Sequence, residues 1–251
     1  MDGDGMRKLL FCIAYCGTNY HGWQVQENAI TIQQIIQNAI ERIFQERLPI
    51  CGCSRTDSGV HANNYYFHME TSSKIPCTNI QRALNTYLPK DIAVKSVHEV
   101  SRDFHARYSC CGKEYVYLIW NAPYHSPFYE NRALYYPYSL SISSIKEAMH
   151  FLEGQHDFTS FCANPLSTNN IRTIFHTSIE QDGFMLKLLF HGDGFLYNMV
   201  RIMVGTLLFV SEKKFLPDDI PQILTAKDRK KAGKTAPPEG LYLNKVYYNK
   251  K

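Results

Sequence analysis

The chain has 251 residues, 45% of them hydrophobic, and 27 basic against 23 acidic residues give a net charge of +4; this is too apolar for a disordered chain and large enough for one big domain or two compact lobes. The longest apolar stretch, Phe195 to Val210, is too short to cross a bilayer and carries Asn198 and Arg201. The eight cysteines form no C-x-x-C pair and no signal peptide precedes them, so zinc sites and a disulfide scaffold are set aside and a soluble, cytoplasmic protein is expected.

Residues 1–6 read as a loose start. Leu9 to Tyr15 is a nearly continuous apolar run and reads as a central strand. A turn follows over Gly17 to Gly22. Thr31 opens a helix with Gln34 as its capping partner, and Ile32, Ile35, Ile36, Ala39, Ile40, Ile43 and Phe44 form its apolar stripe. A strand is expected from about Tyr65 to Glu70, a helix capped by Asn79 with Ile80, Ala83, Leu84, Tyr87 and Leu88 inward, and a strand around Ile92 to Val97.

The second half repeats this order. Glu114 to Asn121 reads as a strand with Tyr115, Tyr117 and Ile119 on one face. Ile142 to Leu152 reads as a helix, and two strands flank the hairpin signal Asp182-Gly183. Asp193 is expected to cap a helix over Phe195 to Val210. A short helix near Asp218 to Ala226 and a strand from Leu241 to Tyr248 complete the chain. The expected fold is α+β. Two similar lobes, 1–108 and 109–251, each carry a mainly antiparallel sheet with helices on one face, and a ligand cleft is expected between them.

Two features point to chemistry. The helix over Phe195 to Val210 is apolar on nearly all sides, which predicts burial, yet Arg201 sits in its middle. A buried guanidinium costs several kcal/mol without an anion, so a carboxylate partner is expected, held ionised by the cation. The natural candidate is Asp57 in "CGCSRTDSGVHA", Cys51 to Ala62. It lies in a glycine-flanked turn, as a nucleophile or general base would. The C-terminal segment is the basic one, with Lys227, Arg229, Lys230, Lys231 and Lys234 clustered as a candidate phosphate-contacting patch. Asp57-Ser58-Gly59 also matches the aspartic-protease triplet, but that chemistry needs two carboxylates sharing a proton and no second triplet exists. A non-catalytic RNA-binding module with tyrosines stacking on bases is the other alternative.

"RTDSGVHA" (Arg55 to Ala62) resembles the signature of the TruA family of tRNA pseudouridine synthases, and the resemblance runs along almost the whole chain. It continues through "YCGTNYHGWQVQ" from Tyr15, "LNTYLPKDIAV" from Leu84, "FHARYS" from Phe104, "KEYVY" from Lys113, "HDFTSF" from His156, "RTI" from Arg172, "MVRIMVG" from Met199 and "AKDRKKAGKTAPPEGLYL" from Ala226. The resemblance implies isomerisation of uridine to pseudouridine in the tRNA anticodon stem-loop. It also implies a homodimer, with tRNA as partner and neither metal nor organic cofactor. By motif match it implies Asp57 as nucleophile, Arg201 as its ion-pair partner, Tyr115 in the catalytic pocket and Arg55 filling the place of the flipped nucleotide. His61, His105, Arg107, Lys227, Arg229, Lys230 and Lys231 are candidate RNA contacts. Cys53, Ser54, Tyr65 and Val116 depart from the family's pattern close to this set. Another structured RNA, such as ribosomal RNA, therefore stands as an alternative target.

Overall fold

The structure, a computed structural model, describes residues 5–164 and 169–248. Residues 1–4, most of the expected loose start, lie outside the described residues. The chain folds into two compact units. One runs up to Cys111 and also takes in the segment from Leu243 on; the other is Gly112–Tyr242.

In the first unit the sheet order is β4 (Ile92–Val100), β1 (Arg7–Tyr15), β3 (His61–Thr71) and β10 (Leu241–Tyr248), with the two-residue β2 (Cys51–Gly52) added to β3. β1 pairs antiparallel with both β3 and β4. Directly opposed Phe11 and Phe67 stack at 4.5 Å with their planes 4° apart, the kind of cross-strand pair that fixes register. Helix α1 (Ile32–Phe44) starts where the sequence predicts, with the Thr31 hydroxyl accepting from the Gln34 N–H. Its stripe packs beside α2 (Cys77–Tyr87), which lies on β4. The N-cap of α2 is Pro76, not the expected Asn79; proline lacks the N–H that a helix start leaves unpaired and suits this end.

The second unit carries β5 (Cys110–Trp120), β9 (Met185–Gly192), β8 (Ile171–Asp182) and β7 (Gly154–Asp157) in that order. The short β6 (Leu134–Tyr135) pairs parallel with β5. Alternate residues of β9 are buried, as period two requires, and β8 and β9 form the expected hairpin at Gly183. Helix α3 (Ile142–His150) packs against β8 and against α4 (Met199–Ser211). The remaining helix is α5 (Asp219–Ala226). Both units are thus α+β with mainly antiparallel sheets.

Two further expectations need correction. The final segment does not stay with the second lobe: Asn64 donates to the Asn244 carbonyl at 2.8 Å, and the Tyr248 ring meets Tyr66 edge-on at 5.5 Å. Helix α4 begins at Met199, not Phe195, after Asn198 in a left-handed conformation (φ 59°). Asp193 instead exchanges hydrogen bonds with Thr173.

Candidate active site

Asp57 lies half-buried in a loop between β2 and β3, with Arg55 and Ser58 exposed on either side and Thr56 buried beneath. The Asp57 carbonyl accepts from the Val60 N–H at 3.2 Å, closing a tight turn in which Gly59 takes φ +78°, a conformation that glycine adopts without steric cost. Aromatic side chains hold this loop from below. Tyr65 stacks on Trp23 at 4.1 Å, and its hydroxyl donates to the Ser54 carbonyl. The Tyr15 and Thr56 hydroxyls share a hydrogen bond at 2.9 Å. The backbone of the same residues adds to this: the Trp23 main-chain N–H donates to the Thr56 carbonyl at 3.2 Å, and the Tyr20 main-chain carbonyl accepts from the Gly59 N–H at 3.1 Å. All four aromatics are nearly inaccessible to solvent. Truncating a buried aromatic costs roughly 3–5 kcal/mol, against ~1–2 kcal/mol of backbone entropy per ordered residue, so this platform sets the loop's conformation. Tyr65 is therefore a support of the loop.

In the second unit, every residue of α4 is buried except Arg201 and Phe209. The Arg201 Nε–H donates to the Ala236 carbonyl at 2.8 Å, and an Nη1–H donates to Asn198 Oδ1 at 2.9 Å. The first bond depends on the basic segment lying along α4. A Cβ on Gly205 would sit 1.7 Å from the Lys234 carbonyl oxygen, so only glycine lets the two backbones approach. Tyr115 on β5 is buried and meets Phe195 edge-on at 5.0 Å. Tyr117, two residues on along the same face, is fully buried and donates to the Pro237 carbonyl at 2.8 Å.

The basic cluster divides into two kinds of residue. Lys227 pairs with Asp157 at 3.0 Å. Burial acts to raise the Asp157 carboxyl, but the Thr159 hydroxyl and the Lys227 ammonium together hold it below its usual value. Arg229 donates to the Gly233 carbonyl at 2.8 Å and to the Thr235 hydroxyl at 3.1 Å, bracing the segment from within. Lys230, Lys231 and Lys234 are exposed.

His61 faces inward, 1% exposed, and its Nδ1 accepts from the Gly17 N–H at 3.0 Å. Its Nε2 therefore carries the proton. The hydrogen bond from His61 does most to bring the Cys16 thiol down to about 6, with the Thr18 hydroxyl and N–H adding to it. His61 is thus a support of the loop region, whereas Arg55 and Arg107 face outward.

Cys51, His68 and His105 bring three potential metal-donor atoms within 4.8 Å of one another, but their hydrogen bonds do not suit a metal. His68 Nδ1 accepts from the Ala106 N–H, and His105 Nδ1 accepts from the Arg107 and Tyr108 N–H groups. Both Nε2 atoms then carry protons, the reverse of a metal-ligating histidine, whose second nitrogen donates. Burial pushes the Cys51 thiol up, away from the thiolate that a metal requires. The cluster reads as a hydrogen-bonded support joining β2, β3 and the loop before β5.

Sequence reasoning named Asp57, Arg55, Tyr115 and Arg201 as candidates; it did not anticipate Tyr15, Tyr20 and Tyr65 as the loop's support, or Asn198 and Ala236 as the groups that hold the Arg201 side chain. The one available signal was the density of aromatics near the loop in sequence. The hydrogen bonds between Tyr15 and Thr56 and between Arg201 and Ala236 join residues 41 and 35 positions apart.

Residues 11–109 and 148–249 match the tRNA pseudouridine synthase family. A curated relative, tRNA pseudouridine synthase A of Ruminiclostridium cellulolyticum, is 44% identical over 246 residues, covering 97% of this chain and 100% of the relative. The enzyme of the same name from Acetivibrio thermocellus is 46% identical over 244 residues with the same coverage, and that of Exiguobacterium sibiricum is 43% identical, covering 97% of each. A match over both units at this identity settles membership: the chain belongs to the tRNA pseudouridine synthase family.

Proposed function

We propose that the protein isomerises uridine to pseudouridine in the anticodon stem-loop of tRNA, with Asp57 as the nucleophile on a uridine turned out of the helical stack. Family membership supports the reaction and the substrate class. The observation that carries the residue assignment is the loop itself. It presents a half-buried carboxylate, with an exposed arginine two residues earlier, on backbone locked by four buried aromatics.

The reaction breaks the C1′–N1 glycosidic bond and forms a C1′–C5 bond to the same base. C5 gives up its proton and N1 gains one, so nothing is oxidised or hydrolysed overall. A carboxylate can attack C1′ with the uracil leaving as its anion, as in retaining glycosidases, or add to C6 of the ring. Either route uses one aspartate and returns it unchanged. Asp57 must be ionised, and Arg201 supplies the positive charge that favours this form. Tyr115 supplies a ring to stack on the base and a hydroxyl for proton transfer. The planar, always-charged side chain of Arg55 takes the place the nucleotide leaves. Lys230 and Lys231, exposed and side by side, neutralise phosphates. The enzyme works as a cytoplasmic homodimer, with one tRNA touching both subunits.

Purified wild type and Asp57→Ala, incubated with an unmodified tRNA transcript, test this reading. The wild type is expected to form pseudouridine. The variant is expected to form none and to bind the transcript with affinity within about threefold of wild type, since removing one carboxylate deletes no phosphate contact. Pseudouridine formation by the variant would refute Asp57 as nucleophile.

A further inference from the structure

The exposed aromatic side chains of the first unit are not equivalent. Tyr108 is 77% exposed, yet its ring is held in place. It stacks on His105 at 4.3 Å with the planes 28° apart, and its backbone N–H donates to His105 Nδ1 at 3.2 Å. His105 is fixed in turn. Its N–H donates to the Ser109 hydroxyl at 3.0 Å, its carbonyl accepts from the Ser109 N–H at 2.9 Å, and its Nε2 lies 3.5 Å from Cys51 Sγ. The loop is also tied down between them, where the Tyr248 hydroxyl donates to the Ala106 carbonyl at 2.8 Å. Phe128 of the second unit, 84% exposed, is the contrasting case: no ring contact holds it among the described residues.

Over this ring lies an exposed cation. The Arg107 guanidinium lies 5.8 Å from the Tyr108 ring centre. It is exposed, and among the described residues it makes no hydrogen bond or ion pair. An exposed tyrosine alone is commonplace. A ring backed by His105, with an exposed guanidinium over it that can swing to a phosphate, is what an unpaired nucleotide calls for: a π-face for the base and a planar charge for its phosphate. Because the ring is already ordered, stacking a base on it forfeits little side-chain entropy.

We propose that Tyr108 and Arg107 form a stacking platform for one unpaired nucleotide of the RNA substrate, with His105 as the residue that positions the ring. This rests on the reading of the protein as an RNA-modifying enzyme and extends it to a second contact point. Cys51, which supports His105, opens the strand leading to Asp57; six residues span at most ~20 Å. The platform and the candidate nucleophile thus lie on the same unit.

Affinity for an unmodified tRNA transcript, measured by filter retention without turnover, tests the platform. Tyr108→Ala is expected to weaken binding about tenfold, as loss of one base–aromatic stack does. The loss should persist at high salt and appear in KM rather than kcat. Tyr108→Phe should keep wild-type affinity, because stacking uses the ring and not the hydroxyl. Arg107→Ala should weaken binding at low salt and reduce the salt dependence by about one phosphate contact. Wild-type affinity for Tyr108→Ala, or a loss confined to kcat, would overturn the proposal. Wild-type enzyme that binds the transcript but forms no pseudouridine would instead overturn the assigned reaction. The two failures are thus separable.

Discussion

Cys16 precedes the short turn Gly17–Asn19, where its sulfur meets the side chains of His61 and Thr18. Hydrogen bonding from His61 comes first among the causes that lower its thiol to about 6, well under the ordinary value near 9, so the thiolate dominates at neutral pH. Its rate of alkylation by iodoacetamide should rise through about pH 6 and level off above pH 7, while an ordinary thiol still gains rate at pH 8. Mass-spectrometric labelling of the eight cysteines should find Cys16 modified first at pH 7, and His61→Ala should slow it. Equal labelling of Cys16 and exposed Cys111 would contradict the pairing. At this scale the sequence marked its candidates by local pattern, Asp57 by its polar, glycine-flanked turn and Arg201 by its place in an apolar helix; the structure places the first half-buried in a tight turn and the second on a helix otherwise buried except at Phe209. Tyr65 was not readable as a support, because its hydroxyl reaches the Ser54 carbonyl just beyond the neighbouring β2 and no local pattern marks that bond.

Helix α4 shows how an element aims a side chain. Its burial was legible from its all-round apolar sequence, but its start was not, since Asn198 takes a left-handed conformation that propensity does not foresee. The basic segment after α5 reads in the sequence as a phosphate patch. In the fold, Arg229 is tied into the segment's own backbone, and the Ala236 carbonyl on the same stretch aims Arg201. Gly205→Ala tests this. Alanine favours a helix by ~1 kcal/mol over glycine, but its Cβ would lie 1.7 Å from the Lys234 carbonyl oxygen, and forcing such a contact costs ~1–3 kcal/mol. The variant should melt a few degrees lower and lose activity as the segment shifts away from Arg201. An unchanged melting temperature with full activity would contradict the positioning role.

At the level of the whole molecule, the α+β class and the repeated order of elements followed from hydrophobic periodicity, which is local. The return of the chain from Leu243 to the first unit did not. A terminal strand with alternating apolar residues carries no mark of which sheet will take it, and here Asn63, Asn64 and the aromatic contacts of Tyr248 decide. The Asp57 loop and the Tyr108 platform both belong to the first unit, so RNA contacts made by either act on the same framework. The central claim, that Asp57 drives pseudouridine formation in tRNA, is tested most directly by mapping pseudouridine across total RNA. The cells should lack this gene and carry either the wild-type chain or Asp57→Ala. The account predicts that anticodon stem-loop sites in tRNA return with the wild-type chain and stay absent with Asp57→Ala. Return of those sites with Asp57→Ala, or wild-type-dependent sites found only in ribosomal RNA, would contradict it.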